Sequence, residues 1–310
     1  MTNRAHLSLL AVVVVWAGSF SVIKALLDDG VEAFDIAIAR YAIAAPGFAF
    51  VLWRAGGLPG LTRRDAARLS AAGLLIVVGY HLCLNAGTSY TTSGVAALVV
   101  ALAPGMTLVL AVLLGLDRLT TRRVVGLAVA FAGVAVVVAL GTGEELSVES
   151  VKGPLIVAGA PLAFALYNVL LKPLLARYDL LALTAATSLV GIVGLVPLVR
   201  ASTLDLATGA SSTDVLRLLY LGVLATLLGY VAWNIGLRAL GPTRAVAYTY
   251  AISPLAVVIG AIVLDEPVSA WLVLGGALVV GGIAAAQGVS LEWPSATVAR
   301  WRGAFSRSAS

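Results

Sequence analysis

The chain contains ten separate runs of apolar residues, each long enough to cross a lipid bilayer. An α-helix rises ~1.5 Å per residue, so ~20 residues span ~30 Å of hydrocarbon with every backbone polar group paired inside the helix. Only 11% of the residues are charged, whereas soluble domains carry ~25%. The sequence therefore predicts an all-α integral membrane protein with ten transmembrane helices, at residues 7–27, 34–53, 70–88, 92–115, 122–140, 154–175, 180–199, 216–238, 243–263 and 269–287.

The first run, residues 7–27, is predicted to be retained as a transmembrane helix. It is longer than the ~7–15 residues of a signal-peptide core, and no small-residue cleavage site follows it. Most Lys and Arg residues fall in alternate loops, on the side that holds the N-terminus. Because basic loops stay in the cytoplasm, both termini are predicted to be cytoplasmic in the inner (cytoplasmic) membrane. Residues 288–310 are predicted to form a basic cytoplasmic tail against the anionic leaflet.

The second half of the chain repeats the first. Residues 79–104 align without gaps on residues 229–254, and Pro104 coincides with Pro254. Because five is an odd number, a second copy of five helices enters the membrane with opposite polarity, which makes the repeats inverted. The sequence therefore predicts a first five-helix repeat at 1–141, an external linker at 142–153 and a second five-helix repeat at 154–287.

The repeated prolines are predicted hinges. Pro104, followed by Gly105, and Pro254 fall near the midpoints of their apolar runs, where a proline removes a helical hydrogen bond at a cost of ~3 kcal/mol. The missing bond loosens the helix and leaves a carbonyl free toward a central cavity. A packing kink without a functional role is the alternative.

Several motifs resemble one transporter superfamily. They are "VWAGSFSVIK" (15–24), "IARYAIAAP" (38–46), and two proline-centred helices followed by "LDR" (116–118) and "LDE" (264–266). Over about residues 7–287 the chain resembles the drug/metabolite transporter superfamily in its ten-helix EamA-type branch, and within it exporters of aromatic amino acids. The family usually has "GE" in place of the "LDR" and "LDE" motifs. The resemblance implies a central cavity bounded by helices 1–4 and 6–9, with helices 5 and 10 peripheral.

Polar and aromatic residues in the middle of spans are the candidate ligands of a substrate, because they are costly in lipid unless they face a cavity or each other. Helical spacing places them on a few helix faces that are expected to converge. Each has an alternative role in interhelical packing with a satisfied polar tip. Arg40 is expected to pair with backbone carbonyls or to snorkel rather than to bind substrate. The candidates are Trp16, Ser19, Tyr80, His81, Asn85, Tyr167, Asn168, Tyr230, Trp233, Asn234 and Tyr248.

The sequence lacks the motifs of the common enzyme classes. There is no GxxxxGK[ST], HExxH or GxSxG stretch, and the SxxK match at Ser21–Lys24 has no SDN or KTG companion. Cys83 is the only cysteine, which excludes an intrachain disulfide and a cysteine metal cluster. No catalytic residue, metal site or cofactor is therefore predicted.

These features predict a secondary transporter that exports small metabolites, aromatic or neutral amino acids in particular, by alternating access. A nucleoside, nucleobase or amphiphilic-drug exporter is the alternative, and an intramembrane enzyme or a membrane scaffold is a more distant one. The expected partners are a small-molecule substrate and the lipid bilayer, without nucleic acid, and the sequence requires no oligomer. The spans hold no Asp or Glu away from their ends, so downhill transport is expected, with proton antiport through His81 as the alternative.

Overall fold

The computed structural model describes residues 2–115, 117–118, 120–141 and 148–287. The described residues form no β-strand, and ten of their helices are long and apolar enough to cross a membrane. This confirms the predicted fold class. In chain order, helices α1 to α10 are Arg4–Asp28, Ala33–Arg54, Arg63–Thr88, Ser93–Leu113, Thr121–Leu140, Val151–Leu175, Leu180–Leu198, Ser212–Leu240, Arg244–Val263 and Ala270–Gln287.

Helices α3 and α8 begin well before their apolar runs. Helix α3 begins at Arg63, where the Thr62 side chain accepts a hydrogen bond from the Asp65 backbone N–H. Helix α8 likewise follows a Ser211 cap. Hydropathy detects only the part of a helix that lies in hydrocarbon, so capped polar turns outside it are missed. A helix also covers residues 148–153 of the predicted linker, whereas residues 142–147 and the predicted tail at 288–310 lie outside the described residues.

The contact between α5 and α10 shows the inverted repeat. A Cβ added to Gly126 would lie 2.6 Å from the Gly282 carbonyl oxygen, and one added to Gly133 would lie 2.7 Å from the Gly275 carbonyl oxygen. The two helices are therefore antiparallel. Gly126 and Gly275 are 149 residues apart, as are Gly133 and Gly282, so each pair occupies equivalent positions in the two repeats. Exchanging the repeats therefore turns the Gly126–Gly282 contact into the Gly133–Gly275 contact. A two-fold relation between the halves has this property.

Irregular helix segments recur at the same offset. Helix α3 contains a π-helical segment, Leu74–Gly79, and α8 contains one at Tyr220–Leu228. Helix α4 is interrupted after Val100, and α9 is interrupted after Thr249. Each repeat therefore carries a π-helical segment in its third helix and a break in its fourth.

The two broken helices meet on one side of the membrane. We call the side that holds Arg4 the N-side and the opposite side the far side. On the far side, Ser253 donates a hydrogen bond to the Ala97 carbonyl at 2.8 Å, and Gly94 packs against Val257. On the N-side, the second half of α4, Ala103–Leu113, packs instead against α6 and α10. In the described residues, close packing between α4 and α9 is confined to their far-side halves.

Candidate functional site

A cavity of about 200 Å³ lies at the centre of the helix bundle, next to both helix breaks. Helices α1, α2, α3, α4, α6, α8, α9 and α10 contribute to its lining. Helix α10 supplies Val280 and Ile283, and α7 supplies no lining residue, so the boundary implied by the resemblance is wrong at these two helices. The aromatic residues of the lining are Trp16, Phe20, Tyr80, His81, Phe164, Tyr230 and Tyr250.

A carboxylate joins the two repeats on the far side. Glu266, in the loop between α9 and α10, accepts hydrogen bonds from the Ser93 backbone N–H at 2.6 Å and the Gly94 N–H at 3.2 Å. It also accepts one from the Ser93 hydroxyl at 2.8 Å. These groups form the N-terminus of α4, where unpaired N–H groups and the helix dipole favour a negative charge. The far-side ends of the two repeats are therefore held together.

The N-side halves of the broken helices have no matching connection. In the described residues, no hydrogen bond joins Ala103–Leu113 of α4 to the stretch of α9 before its break, residues 244–249. Ala103, Pro104 and Thr249 line the cavity at this level. The hydrogen bonds that join α4 to the second repeat at Ser93, Gly94 and Ala97 therefore lie on the far side.

The prolines leave carbonyl groups without their helical donors. Pro104 and Pro254 have no N–H, so the carbonyls of Val100 and Tyr250, four positions earlier, lack the usual hydrogen bond. Val100, Tyr250 and Pro104 line the cavity, whereas Pro254 is exposed. Gly105 is buried and faces Ile283 and Leu127 instead of the cavity. Two residues of the cavity wall, one from each repeat, therefore have a carbonyl without its usual helical donor.

Five of the predicted substrate ligands line this cavity, namely Trp16, Ser19, Tyr80, His81 and Tyr230. The Trp16 indole N–H donates to the Ala225 carbonyl at 2.9 Å. His81 Nδ1 lies 3.0 Å from the Ile76 carbonyl, which can only accept, so Nδ1 carries the proton. The cavity-facing rings are therefore held by backbone groups. The role of these residues as ligands stays a prediction.

The other six candidates lie outside the lining. Asn234 donates to the Tyr230 carbonyl at 2.8 Å, and Asn85 donates to the Ala33 carbonyl at 3.0 Å. Tyr248 shares a hydrogen bond with His6. Ring contacts and helix packing account for the rest, with Trp233 against Trp16, Tyr167 against Phe164, and Asn168 half-buried on α6. Helical spacing gives the face of a residue but not which neighbour meets that face.

The predicted surroundings of Arg40 were wrong. Arg40 is buried and lines the cavity, and its Nε donates to the Thr226 hydroxyl at 3.0 Å instead of pairing with a backbone carbonyl. Its position inside an apolar run was the available signal. In the part of the chain that the structure describes, no group of His, Cys, Asp and Glu residues has the arrangement of a metal site.

Comparison with known proteins agrees with this architecture. The model of the EamA-like transporter family matches the chain twice, at residues 3–139 and 151–286. An uncharacterized transporter of Archaeoglobus fulgidus is 31% identical, over 87% of this chain and 94% of its own length. A probable terminal-alkyne amino-acid exporter of Streptantibioticus cattleyicolor is 29% identical, over 91% of this chain and 92% of its own length.

A solved crystal structure of a protein shares the fold, with a TM-score of 0.60, 22% identity and coverage of 94% of this chain and 98% of that one. The family model matches each half of the chain separately, as expected for two five-helix repeats around one cavity. The chain therefore belongs to the EamA-like transporter family and is a multi-pass membrane transporter.

Proposed function

We propose that this transporter exports aromatic or neutral amino acids by alternating access through the central cavity. The observation that carries the proposal is the cavity itself, which is lined by aromatic rings and lies between two repeats that Glu266 joins on the far side. One relative is named as a probable amino-acid exporter, which supports the same substrate class.

We assign the N-side to the cytoplasm, in the inner membrane. The support is the concentration of Lys and Arg in the N-side loops, which sets the orientation of membrane proteins. With this orientation, the contacts of Glu266 with α4 lie on the external side. Substrate then enters the cavity from the cytoplasm, as an exporter requires.

The size and chemistry of the cavity favour a small metabolite. A volume of about 200 Å³ is below the ~300–1,000 Å³ of pockets that hold drug-sized molecules, which disfavours an amphiphilic drug. Aromatic rings bind the flat face of an aromatic side chain. The free carbonyls of Val100 and Tyr250 can accept hydrogen bonds from an ammonium group. A nucleoside, which also stacks on rings, is the competing substrate.

The cavity does not favour catalysis. The Ser19 hydroxyl donates to the Val15 carbonyl at 2.9 Å, and the Ser253 hydroxyl donates to the Ala97 carbonyl. Among the described residues, neither serine is hydrogen-bonded to a histidine, and a nucleophile needs such a base. Transport without chemical change of the solute is therefore the better assignment.

Transport in proteoliposomes tests the proposal. Vesicles loaded with L-phenylalanine should release it down its gradient faster than protein-free vesicles, unchanged in composition, whereas adenosine should leave at the protein-free rate. An imposed proton gradient without a substrate gradient should drive no accumulation, because Asp and Glu in the ten spans lie only in terminal turns. Release of adenosine alone would overturn the substrate class. Proton-driven accumulation that His81→Ala abolishes would overturn downhill transport.

Pro104 and Pro254 are expected to ease the conformational change between the two states of the alternating-access cycle. Alanine at position 104 or 254 restores one hydrogen bond, worth ~1 kcal/mol, to the broken helix. Pro104→Ala and Pro254→Ala should therefore lower the initial transport rate by roughly five-fold without loss of folded protein. Pro46→Ala is the control, because Pro46 is exposed within the unbroken helix α2. Parental rates in both hinge variants would show that the breaks are packing features.

A further inference from the structure

The side chain of Arg40 is held in one orientation inside the membrane. Arg40 lies seven residues from the far-side end of α2, a depth of about 10 Å along the helix. Only 5% of it is exposed, and it lines the cavity. The Thr226 hydroxyl donates its proton to the Leu221 carbonyl at 2.7 Å, so it presents a lone pair to Arg40 Nε. The guanidinium is therefore positioned by a polar contact on one edge.

Beyond Thr226, the guanidinium has no hydrogen-bonding or ionic partner in the described residues; its Cζ lies 5.9 Å from the centroid of the Tyr41 ring. A guanidinium has five N–H donors, and Thr226 accepts the only hydrogen bond that Arg40 donates to the described part of the chain. None of the ion pairs among the described residues includes Arg40. An arginine at this depth is costly without a partner. The four remaining donors and the charge are available to a molecule in the cavity.

The fold itself does not require this arginine. Gly222 of α8 packs against the Arg40 backbone carbonyl of α2, and its repeat counterpart, Gly73 of α3, packs against the Thr187 carbonyl of α7. Thr187 is thus the counterpart of Arg40, and its hydroxyl donates to the Leu183 carbonyl of its own helix. The equivalent helix crossing, between α3 and α7, is built without a charge. Arg40 therefore has a role that the crossing alone does not explain.

We propose that Arg40 binds the carboxylate of the transported molecule, as an inference that rests on the proposed transport of amino acids. A guanidinium pairs with a carboxylate through two parallel N–H···O bonds, a geometry that an ammonium cannot supply. Tyr80 and Tyr230 line the same cavity, so an apolar or aromatic side chain can lie against them once the carboxylate is bound. The arginine then selects carboxylates over amines and uncharged nucleosides of similar size.

Ligand binding to the purified full chain tests the selection directly. Thermal stabilisation should be measured with L-phenylalanine, 3-phenylpropionate, phenethylamine and adenosine. The first two share the carboxylate, and phenethylamine has the ring and amine without it. We expect both carboxylates to bind the parent protein about 10- to 100-fold more tightly than phenethylamine, the range for a charged hydrogen-bonded contact. Equal binding of phenethylamine and 3-phenylpropionate would overturn the proposal even if no variant folded.

Substitutions of Arg40 then test whether its side chain causes the preference for carboxylates. Arg40→Met should lose about 10- to 100-fold in affinity for both carboxylates and little for phenethylamine, because only the carboxylate pairs with the guanidinium. Arg40→Lys should keep part of the selection, since it keeps the charge without the planar fork. Arg238→Met is the matched control, because it removes an α8 guanidinium that pairs with Asp179 outside the cavity. It should bind every ligand as the parent does.

The two proposals fail in different ways. If the parent releases L-phenylalanine and Arg40→Met does so with unchanged apparent affinity, the carboxylate site is wrong and the transport proposal stands. If the parent binds 3-phenylpropionate through Arg40 but moves no amino acid, the transport proposal is wrong and the anion site stands. A structural role predicts a lower unfolding temperature for Arg40→Met. Removal of an unpaired buried charge predicts no loss, so a large loss without a change in ligand selection would also overturn the site.

Discussion

Gly282→Ala is expected to separate α5 from α10 and to destabilise the whole protein. A Cβ at position 282 would lie 2.5 Å from the Ala130 backbone nitrogen and 2.6 Å from the Gly126 carbonyl oxygen. Backbone atoms of a helix cannot move aside one at a time, so the two helices must move apart over their full contact. We expect a loss of at least about 2 kcal/mol in the free energy of unfolding, within the range for overpacked cores.

The neighbouring glycine provides a control on the same helix. Gly281 is exposed, and nothing lies within 4 Å of a Cβ added there. Gly281→Ala should therefore be neutral or stabilising by up to ~1 kcal/mol, because alanine is the better helix former. Thermal unfolding of both variants in detergent, monitored as the fraction of protein that stays monodisperse, measures the difference. Equal stability of Gly281→Ala and Gly282→Ala would contradict the backbone contact between α5 and α10.

Glu266→Gln is expected to open the far side of the cavity. The two carboxylate oxygens accept three hydrogen bonds from Ser93 and Gly94. A glutamine keeps one acceptor oxygen, and its NH₂ group cannot accept from an N–H donor of α4. Hydrogen bonds to a charged group contribute ~1.5–3 kcal/mol each. Loss of one such bond should raise the population of the far-side-open state by about 10- to 100-fold.

Thiol labelling measures this shift. Val100 lines the cavity, so Val100→Cys on a Cys83→Ser background reports access to it. A membrane-impermeant thiol reagent added outside intact cells should react faster when Glu266→Gln is present. Asp265→Asn is the matched control, because Asp265 is exposed, adjacent, and has a φ of 53° that asparagine tolerates. Equal labelling in the two variants would contradict the role of Glu266 in holding the far side closed. Rapid labelling from outside of the parent, which keeps Glu266, would contradict the assigned orientation.

The sequence did not determine which of the candidate residues line the cavity. His81 and Asn85 lie one helical turn apart on α3, yet only His81 reaches the cavity, and Asn85 donates to the Ala33 carbonyl of α2. Spacing along a helix gives each side chain a direction but leaves the neighbouring helix unspecified. Arg40 was misassigned for the same reason, because its partner Thr226 is 186 residues away in the chain.

The sequence by itself determined the class of fold, the number of helices and the duplication. Lipid requires every backbone polar group to be paired within its own segment, so length and hydropathy are enough to locate a membrane helix. The repeat offset could be read from Pro104 and Pro254 because both copies lie in one chain. Only the tertiary structure decided that Glu266 joins the repeats on the far side, that the cavity wall includes α10 and not α7, and that Arg40 lines the cavity. These features depend on contacts between helices distant in sequence, and apolar helices that are alike in composition do not encode their neighbours locally.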